Sequence, residues 1–431
     1  MTIAKLAPPL IVSRLGELVA SFLLLAFIGN LLPDSMAEAS FAWAFTSFIT
    51  VIGIGLFSIF LIEIAAIHDT STEKLASLFA TGILLALTCG MVIVFTVFVY
   101  MVISNGSIRQ SPTSQQTLLT ISLAVPAIYC QIVAFNFYNA QGKPKYELIY
   151  VWVTNAIFII TSLTYMHHRP TITLIDFTLS YVALRWLSVG LFIFFIIHFE
   201  LRSYRFWRFK KEPYRPINLF LNGLPLALCF GAESFLYFAL SLTSKNLGDE
   251  ALATYQISIH FLSVIYMISI GVGNAASILV ARNNKNNHST LARSVLTEAG
   301  LVGSLFIAPC LLICLLLPHQ VARLYTTNQH VASMVAEAIQ LSIPFLIFEL
   351  CYVLTRMVLR SIGDAWVPTA LTITCLNGGG LVLTWLLFSF YQPSIKSIIF
   401  ALTGCTLILM TCLLVRFFKI TGSRHRALFN Q

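Results

Sequence analysis

Charge is the scarcest feature of this sequence. Only 10% of its 431 residues are Asp, Glu, Lys or Arg, whereas 58% are hydrophobic. Soluble domains carry about 25% charged residues, so this composition excludes an ordinary soluble protein. The mean hydropathy of +0.86 agrees with that exclusion. The chain is therefore expected to reside in a lipid bilayer.

Motifs of the common enzyme and motor classes are also missing. No GxxxxGK[ST] segment is present, which excludes an ATP-driven motor within the chain. No GxSxG, HExxH or clustered carboxylate pair indicates catalytic geometry. The nine cysteines fall in apolar blocks without a CxxC spacing, which favours small core residues over disulfides or a zinc site. We expect a protein that is not an enzyme and has no cofactor beyond a coupling ion.

Apolar runs, in contrast, fill almost the whole chain. About twelve of them reach the roughly 20 residues that a helix needs to cross a bilayer. The pattern predicts an all-α integral membrane protein with twelve transmembrane helices in two pseudo-symmetric six-helix lobes. The predicted spans are 7–30, 40–67, 76–104, 117–137, 147–166, 172–199, 217–243, 252–281, 291–317, 331–355, 366–391 and 396–418.

The basic residues behind the net charge of +9 are distributed as expected for the two sides of a membrane. Most Lys and Arg fall in alternate loops, and the loops between those keep few of them. By the positive-inside rule, both termini are cytoplasmic in a multi-pass cell (inner or plasma) membrane, which agrees with an even number of spans. The basic character is thus explained by topology and does not indicate nucleic-acid binding. The basic loops contain Lys5, Lys74, Lys143, Lys145, residues 202–215, Arg282, Lys285, Arg293, Arg360 and residues 416–426.

An internal repeat divides the chain in two. The basic segment 201–216 separates an N-lobe, 1–200, from a C-lobe, 217–418, which a cytoplasmic tail, 419–431, follows. A constant offset of 216 residues relates the halves over roughly 70 residues, which indicates duplication with both halves in one orientation. The matched residues are Pro9 and Pro225, Glu17 and Glu233, Asn30 and Asn246, Ala37 and Ala253, Gly55 and Gly271, and Leu75 and Leu291.

Two glutamates lie at membrane depth. Glu233 follows Pro225 by two turns within an apolar run, and Glu349 follows Pro344 in another. A carboxylate in hydrocarbon is unfavourable by several kcal/mol unless it is protonated, paired or hydrated. We expect both to couple ion movement to solute movement, with a possible Na⁺ nearby. The alternative is a structural hydrogen bond between helices.

Four further polar residues form a possible secondary site. Glu17 has Arg14 three residues earlier, which predicts a local or inter-helix ion pair rather than coupling. His260 lies near Gln256, and a histidine relays protons near neutral pH, but a lone histidine is more often a hydrogen-bonded packing residue. Arg356 lies two turns after Glu349 on the same helix. A salt bridge that involves another helix is therefore an alternative role for Glu349.

These features resemble the multidrug and toxic compound extrusion (MATE) family, within the wider multidrug/oligosaccharidyl-lipid/polysaccharide flippase superfamily. The resemblance covers about residues 7–415. It implies a two-lobed antiporter of twelve helices that exports cationic amphipathic compounds against Na⁺ or H⁺. It also places the acids of the family's seventh and tenth helices at Glu233 and Glu349, but the first-helix aspartate falls on Leu24. The densest segments are APPLIVSRLGELVASFLLLAFIG, GLPLALCFGAESFLYFALSLTSKNLGDEALATYQISIHF and LRSIGDAW.

The leading interpretation is thus a monomeric, cation-coupled exporter of cationic amphipathic small molecules that works by alternating access among membrane lipids. A lipid-linked oligosaccharide flippase is the alternative, but it is expected to need a strongly cationic cavity. An integral-membrane acyltransferase would need His260 in company with other reactive groups, which the sequence does not indicate.

Overall fold

A computed structural model describes residues 2–31, 36–67, 72–104, 112–168, 173–201, 215–283 and 288–429. Seventeen α-helices occupy most of these residues, as the hydropathy pattern predicts. They are α1 (Ile3–Leu31), α2 (Met36–Phe57), α3 (Ile59–Ala66), α4 (Thr72–Ser104), α5 (Pro112–Ser122), α6 (Val125–Ala140), α7 (Lys145–His168), α8 (Leu174–Phe195), α9 (Pro216–Lys245), α10 (Asp249–Arg282), α11 (His288–Leu316), α12 (Pro318–Tyr325), α13 (Gln329–Leu341), α14 (Ile343–Ser361), α15 (Trp366–Thr372), α16 (Gly380–Phe390) and α17 (Ile395–Phe429).

The described helices account for the predicted membrane spans. Ten helical stretches are long and apolar enough to cross a bilayer, and the bent pair α13–α14 makes an eleventh. Helix α1, with 29 residues, is also longer than the roughly 20 residues that a bilayer requires. The expected all-α membrane fold is confirmed. α17 continues to Phe429, so the stretch expected to be a tail is helical over its described part.

Several spans are interrupted where proline or an irregular turn interferes with helical hydrogen bonding. Proline has no N–H to donate, and so it is tolerated best in the first turn of a helix. Pro126 and Pro344 accordingly lie in the first turns of α6 and α14. The axes of α13 and α14 differ by 47°. π-Helical turns extend α8 over Ile196–Glu200 and join α15 to α16 over Ile373–Gly379.

The chain divides into two compact units, and each contains residues from both halves of the sequence. The first unit, which we call unit 1, comprises Met1–Ile11 and Leu228–Gln431. The second, unit 2, comprises Val12–Ala227. The divisions therefore fall within α1 and α9, and they are separated by the same 216 residues that relate the two halves of the sequence. Residues 202–214 of the predicted linker lie outside the described residues.

The centre of each unit is a helix that its neighbours bury. In unit 1, α10 packs mainly against α14, α11 and α13, and α17 packs against α14. In unit 2, α6 packs against α2, α3 and α4, and each of its sixteen residues is buried. Burial of this kind in a membrane places polar side chains of α10, α14 and α6 away from lipid. These helices are therefore the ones able to hold charged groups.

One turn conformation occurs in both halves. α6 and α14 each end at a glycine with positive φ, Gly142 at 77° and Gly363 at 95°. The residue after each glycine donates its backbone N–H five residues back, from Lys143 to Tyr138 and from Asp364 to Leu359. This is the arrangement of a helix end closed by a left-handed glycine. α6 and α14 are thus closed by the same local hydrogen-bond pattern.

An ion pair follows each turn, but with opposite polarity. In unit 2, Lys143 Nζ donates to both carboxylate oxygens of Glu200, at 2.7 and 2.8 Å. In unit 1, Arg416 Nε donates to Asp364 Oδ2 at 2.9 Å. The residue after the turn is thus basic in one half and acidic in the other. In each unit, the charge of this residue is neutralised by a partner in the same unit.

Candidate functional site

Glu233 lies in α9 and forms an ion pair with Arg356 of α14. Arg356 Nη1 donates to Glu233 Oε1, and the two side chains are only 1% and 7% exposed. An ionised carboxylate at this depth requires such a partner, because burial without one is strongly unfavourable. The apolar run of α9 therefore accommodates a charge through a residue 123 positions later in the sequence.

Two tyrosines complete the surroundings of the Glu233 carboxylate. Tyr266 of α10 donates its hydroxyl to Oε2 at 3.0 Å, and Tyr352 of α14 donates to Oε1 at 3.5 Å. Two helices, α10 and α14, thus direct hydrogen-bond donors at one carboxylate of α9. Hydrogen bonds to a charged group are shorter and stronger than those between neutral groups. The Glu233 carboxylate is thus held in place by donors of this chain.

Aromatic rings hold the Arg356 guanidinium. Its central carbon lies 5.4 Å from the ring centre of Phe230 and 5.5 Å from that of Tyr352. Nε and Nη2 are buried without a hydrogen-bond partner among the described residues. A guanidinium over ring faces gains a cation–π interaction that is stronger where water is excluded. Arg356 is therefore fixed by packing as well as by Glu233.

Glu349 belongs to the same cluster but is held differently. It lies two turns before Arg356 on α14 and is 2% exposed. Electrostatic interactions couple it to Glu233 and Arg356. Within the described part of the chain, its carboxylate has neither a hydrogen bond nor an ion pair. The structure thus brings both predicted coupling acids and Arg356 together, and Arg356 pairs with Glu233 rather than with Glu349.

A second buried charge cluster lies in unit 2. Glu17 accepts from Arg14 Nη1 at 2.7 Å, as the spacing of three residues predicts. Arg14 Nη2 also lies 3.6 Å from Oε1 of Glu147. Ser13 donates to Glu147 at 2.9 Å and Asn139 donates to its other oxygen. Glu147 is fully buried, and the sequence did not single it out, because Lys143 and Lys145 make its surroundings look like a charged loop.

His260 and Gln256 are exposed on α10 and contact other partners. Gln256 donates to Ser241 Oγ at 2.7 Å. His260 Nδ1 lies 3.2 Å from the hydroxyl of Tyr325, at the end of α12. Burial raises the pKa of Tyr325, so its phenol stays protonated at neutral pH and is able to donate to the imidazole. Neither side chain forms a hydrogen bond with Glu233 or Glu349.

A cation at this cluster would be bound by few protein ligands. Among the described residues, no group of three or more His, Cys, Asp or Glu side chains is arranged to hold a metal ion. Glu349 nevertheless offers a carboxylate that interacts electrostatically with Tyr266 and Tyr352. The position of Leu24, where the first-helix acid is missing, lies in α1, and its side chain is outside the described residues.

The chain is similar to known transporters along most of its length. A family model described as MatE matches residues 225–386, which include both Glu233 and Glu349. The multidrug resistance protein NorM of Burkholderia vietnamiensis is 23% identical over 381 residues, which cover 85% of this chain and 82% of that protein. Over residues 225–386 the chain thus resembles the MATE family, and along most of its length it is similar to NorM. MATE proteins are transporters, so the expectation that the chain is not an enzyme is confirmed.

Solved structures of MATE-type transporters share the fold. A transporter of the MOP superfamily from Pyrococcus furiosus, described as having a binding pocket of reverse polarity, superposes with a TM-score of 0.85 at 12% identity, covering 98% of this chain and 95% of that one. The eukaryotic MATE transporter AtDTX14 gives a TM-score of 0.80 at 16% identity, covering 98% of both chains. At such identities the likeness concerns the fold, so the chemistry of the site rests on the residues described above.

Proposed function

We propose that this protein is a secondary active antiporter that exports cationic amphipathic small molecules in exchange for Na⁺ or H⁺ by alternating access. The observation that carries the proposal is a pair of buried glutamates, Glu233 and Glu349, in one cluster on α9 and α14. A buried carboxylate takes up a cation or a proton, because either one neutralises its charge in a medium of low polarity. Competition for such a group links the ion to the exported cation.

The similar proteins agree with this choice of substrate class. The NorM proteins of Burkholderia vietnamiensis and Vibrio cholerae are named for multidrug resistance. We extend that role to this chain as part of the proposal. By the distribution of Lys and Arg, both termini lie in the cytoplasm of a cell (inner or plasma) membrane. The lobes are taken as 1–200 and 217–418, and the protein as a monomer among membrane lipids.

Efflux of ethidium from cells that lack their own exporters tests the proposal. Wild-type protein is expected to lower ethidium accumulation in proportion to an imposed Na⁺ or H⁺ gradient, and varying the two gradients separately identifies the coupling ion. Glu349→Gln should abolish this gradient dependence, and Glu233→Gln should weaken it because Arg356 then lacks its counter-charge in the same cluster. Glu337→Gln is the matched control, because Glu337 is half-exposed on α13 and pairs with Lys396. Equal efflux by wild type and both site variants would contradict the proposal.

The pairing of buried arginines with carboxylates disfavours the flippase alternative. Among the described membrane-depth arginines, Arg356 pairs with Glu233 and Arg14 with Glu17, whereas Arg185 donates to Tyr181 and Gln131. A guanidinium already paired with a carboxylate has little charge left to attract a pyrophosphate group. Expression in a flippase-deficient strain should therefore fail to restore growth, and restored growth would favour the alternative.

A further inference from the structure

The Glu233 carboxylate is fully engaged by groups of this chain. Its oxygens accept hydrogen bonds from Arg356, Tyr266 and Tyr352. A guanidinium does not lose its proton at physiological pH, so the positive charge beside Glu233 is permanent. An incoming cation would have to displace Arg356, which is 1% exposed and held between the rings of Phe230 and Tyr352. Glu233 is thereby closed to exchange.

Glu349 has the opposite character. It is as deeply buried as Glu233, yet none of the described residues hydrogen-bonds to it or forms an ion pair with it. Glu147 in unit 2 is also fully buried, but Ser13, Asn139 and Arg14 contact its carboxylate. Burial alone therefore does not leave a carboxylate without partners in this fold. The bare carboxylate of Glu349 is the one that a ligand can neutralise.

Two charged groups interact with Glu349. They are Glu233, whose charge is already paired, and Arg356, which is its partner. The interacting side chains come from α9, α10 and α14, and the tyrosines among them are neutral at physiological pH. Arg360 lies one turn beyond Arg356 on α14, and it is buried. A ligand charge placed at Glu349 therefore meets Arg356 together with its paired carboxylate, Glu233. The titratable and charged groups are Glu233, Tyr237, Tyr266, Tyr352, Arg356 and Arg360.

We propose that Arg356 is a specificity-determining residue, which acts as the built-in counter-charge of Glu233 and limits the cluster to one exchangeable positive charge at Glu349. The cluster then accepts a proton or a monocation and disfavours a dication, whose second charge has no free carboxylate to pair with. This inference deepens the proposed function and rests on it, because it assigns the charge class of the substrate at that site.

Removal of Arg356 is expected to change the preference between monocations and dications. The probes are tetraphenylphosphonium, with one charge, and methyl viologen, with two, and their binding to purified full-length protein is measured by equilibrium dialysis. For Arg356→Gln, the ratio of the dissociation constants should shift toward methyl viologen by about tenfold or more, since Glu233 becomes a second free acid. Arg356→Lys keeps the charge and should keep the wild-type ratio.

The outcomes separate this inference from the proposed function. An unchanged ratio in Arg356→Gln, or an equal shift in Arg356→Lys, would overturn the inference while wild-type binding stood. Failure of the wild-type protein to bind either probe would instead count against the proposed function. If Arg356→Gln does not fold, Glu349→Gln decides: tetraphenylphosphonium affinity should fall by about tenfold or more, while Glu147→Gln leaves it unchanged. Equal losses in these two variants would also refute the inference.

Discussion

Replacement of Arg356 by methionine should be one of the more damaging single changes in this protein. The substitution keeps an unbranched side chain of similar length but leaves the Glu233 carboxylate, 7% exposed, without its counter-charge. Breaking a buried ion pair by removing one partner costs about 3–5 kcal/mol. Tyr266 and Tyr352 still donate to Glu233, so we expect a loss near the lower end, about 3 kcal/mol.

The second substitution in a double-mutant cycle provides the sharper test. In the variant Glu233→Gln/Arg356→Met no buried charge remains at this position, so most of the stability should return, and the double variant should be within about 1–2 kcal/mol of wild type. The measurement is the free energy of unfolding of purified protein in detergent micelles. Transport is not required for it, so the result is independent of the proposed function.

The matched control is the exposed ion pair between Lys396 and Glu337, whose side chains are 56% and 50% exposed. Exposed pairs contribute about 0–1 kcal/mol, so Lys396→Met should have little effect. The reasoning about Arg356 would be refuted if Arg356→Met were no more destabilising than this control. It would also be refuted if the double variant were as unstable as the single one, because Glu233 would then not depend on Arg356.

Two further predictions concern packing and surface charge. Gly223→Ala should destabilise unit 2 by about 1–3 kcal/mol, because an added Cβ would lie 2.1 Å from the backbone oxygen of Leu56. Gly190→Ala is the control for the same unfolding measurement, and it should be neutral or stabilising because nothing lies within 4 Å of the added Cβ. Exchanging the charges of Lys143 and Glu200 in a double substitution should restore most of the stability that either single reversal removes, and a double variant worse than both singles would show that the pair is not what matters there.

The sequence predicted the coupling acids because an isolated carboxylate in an apolar run is conspicuous. Glu233 and Glu349 were found in that way, and Arg14 was placed beside Glu17 by helical spacing. The partner of Glu233 was less accessible, since spacing along one helix relates Arg356 to Glu349 but gives no information on which helix lies opposite. Contacts between helices distant in sequence depend on packing that periodicity does not encode.

Other parts of the site gave no usable signal in the sequence. Tyr266 and Tyr352 are two of fifteen tyrosines, and nothing in the local sequence marks them as hydrogen-bond donors to a carboxylate. Short irregular elements were also missed, among them α12 and the π-helical turn over Ile373–Gly379. Twelve apolar runs determine the class of fold, because their length must match the bilayer. They do not determine where a span bends or which face carries a polar group.

The division of α1 and α9 between the two units bears on how such a chain arose. Residues 2–11 belong to the unit built from the second half of the sequence, where Ile3 N–H donates to Glu298 at 3.0 Å and Ile11 packs against Gly271. The corresponding first turns of α9 belong to the other unit. In a single-copy ancestor, the same exchange would have joined two identical chains as a swapped dimer. In the present chain the exchange lies within one molecule, so fragments separated near residue 210 should be functional only when they are expressed together.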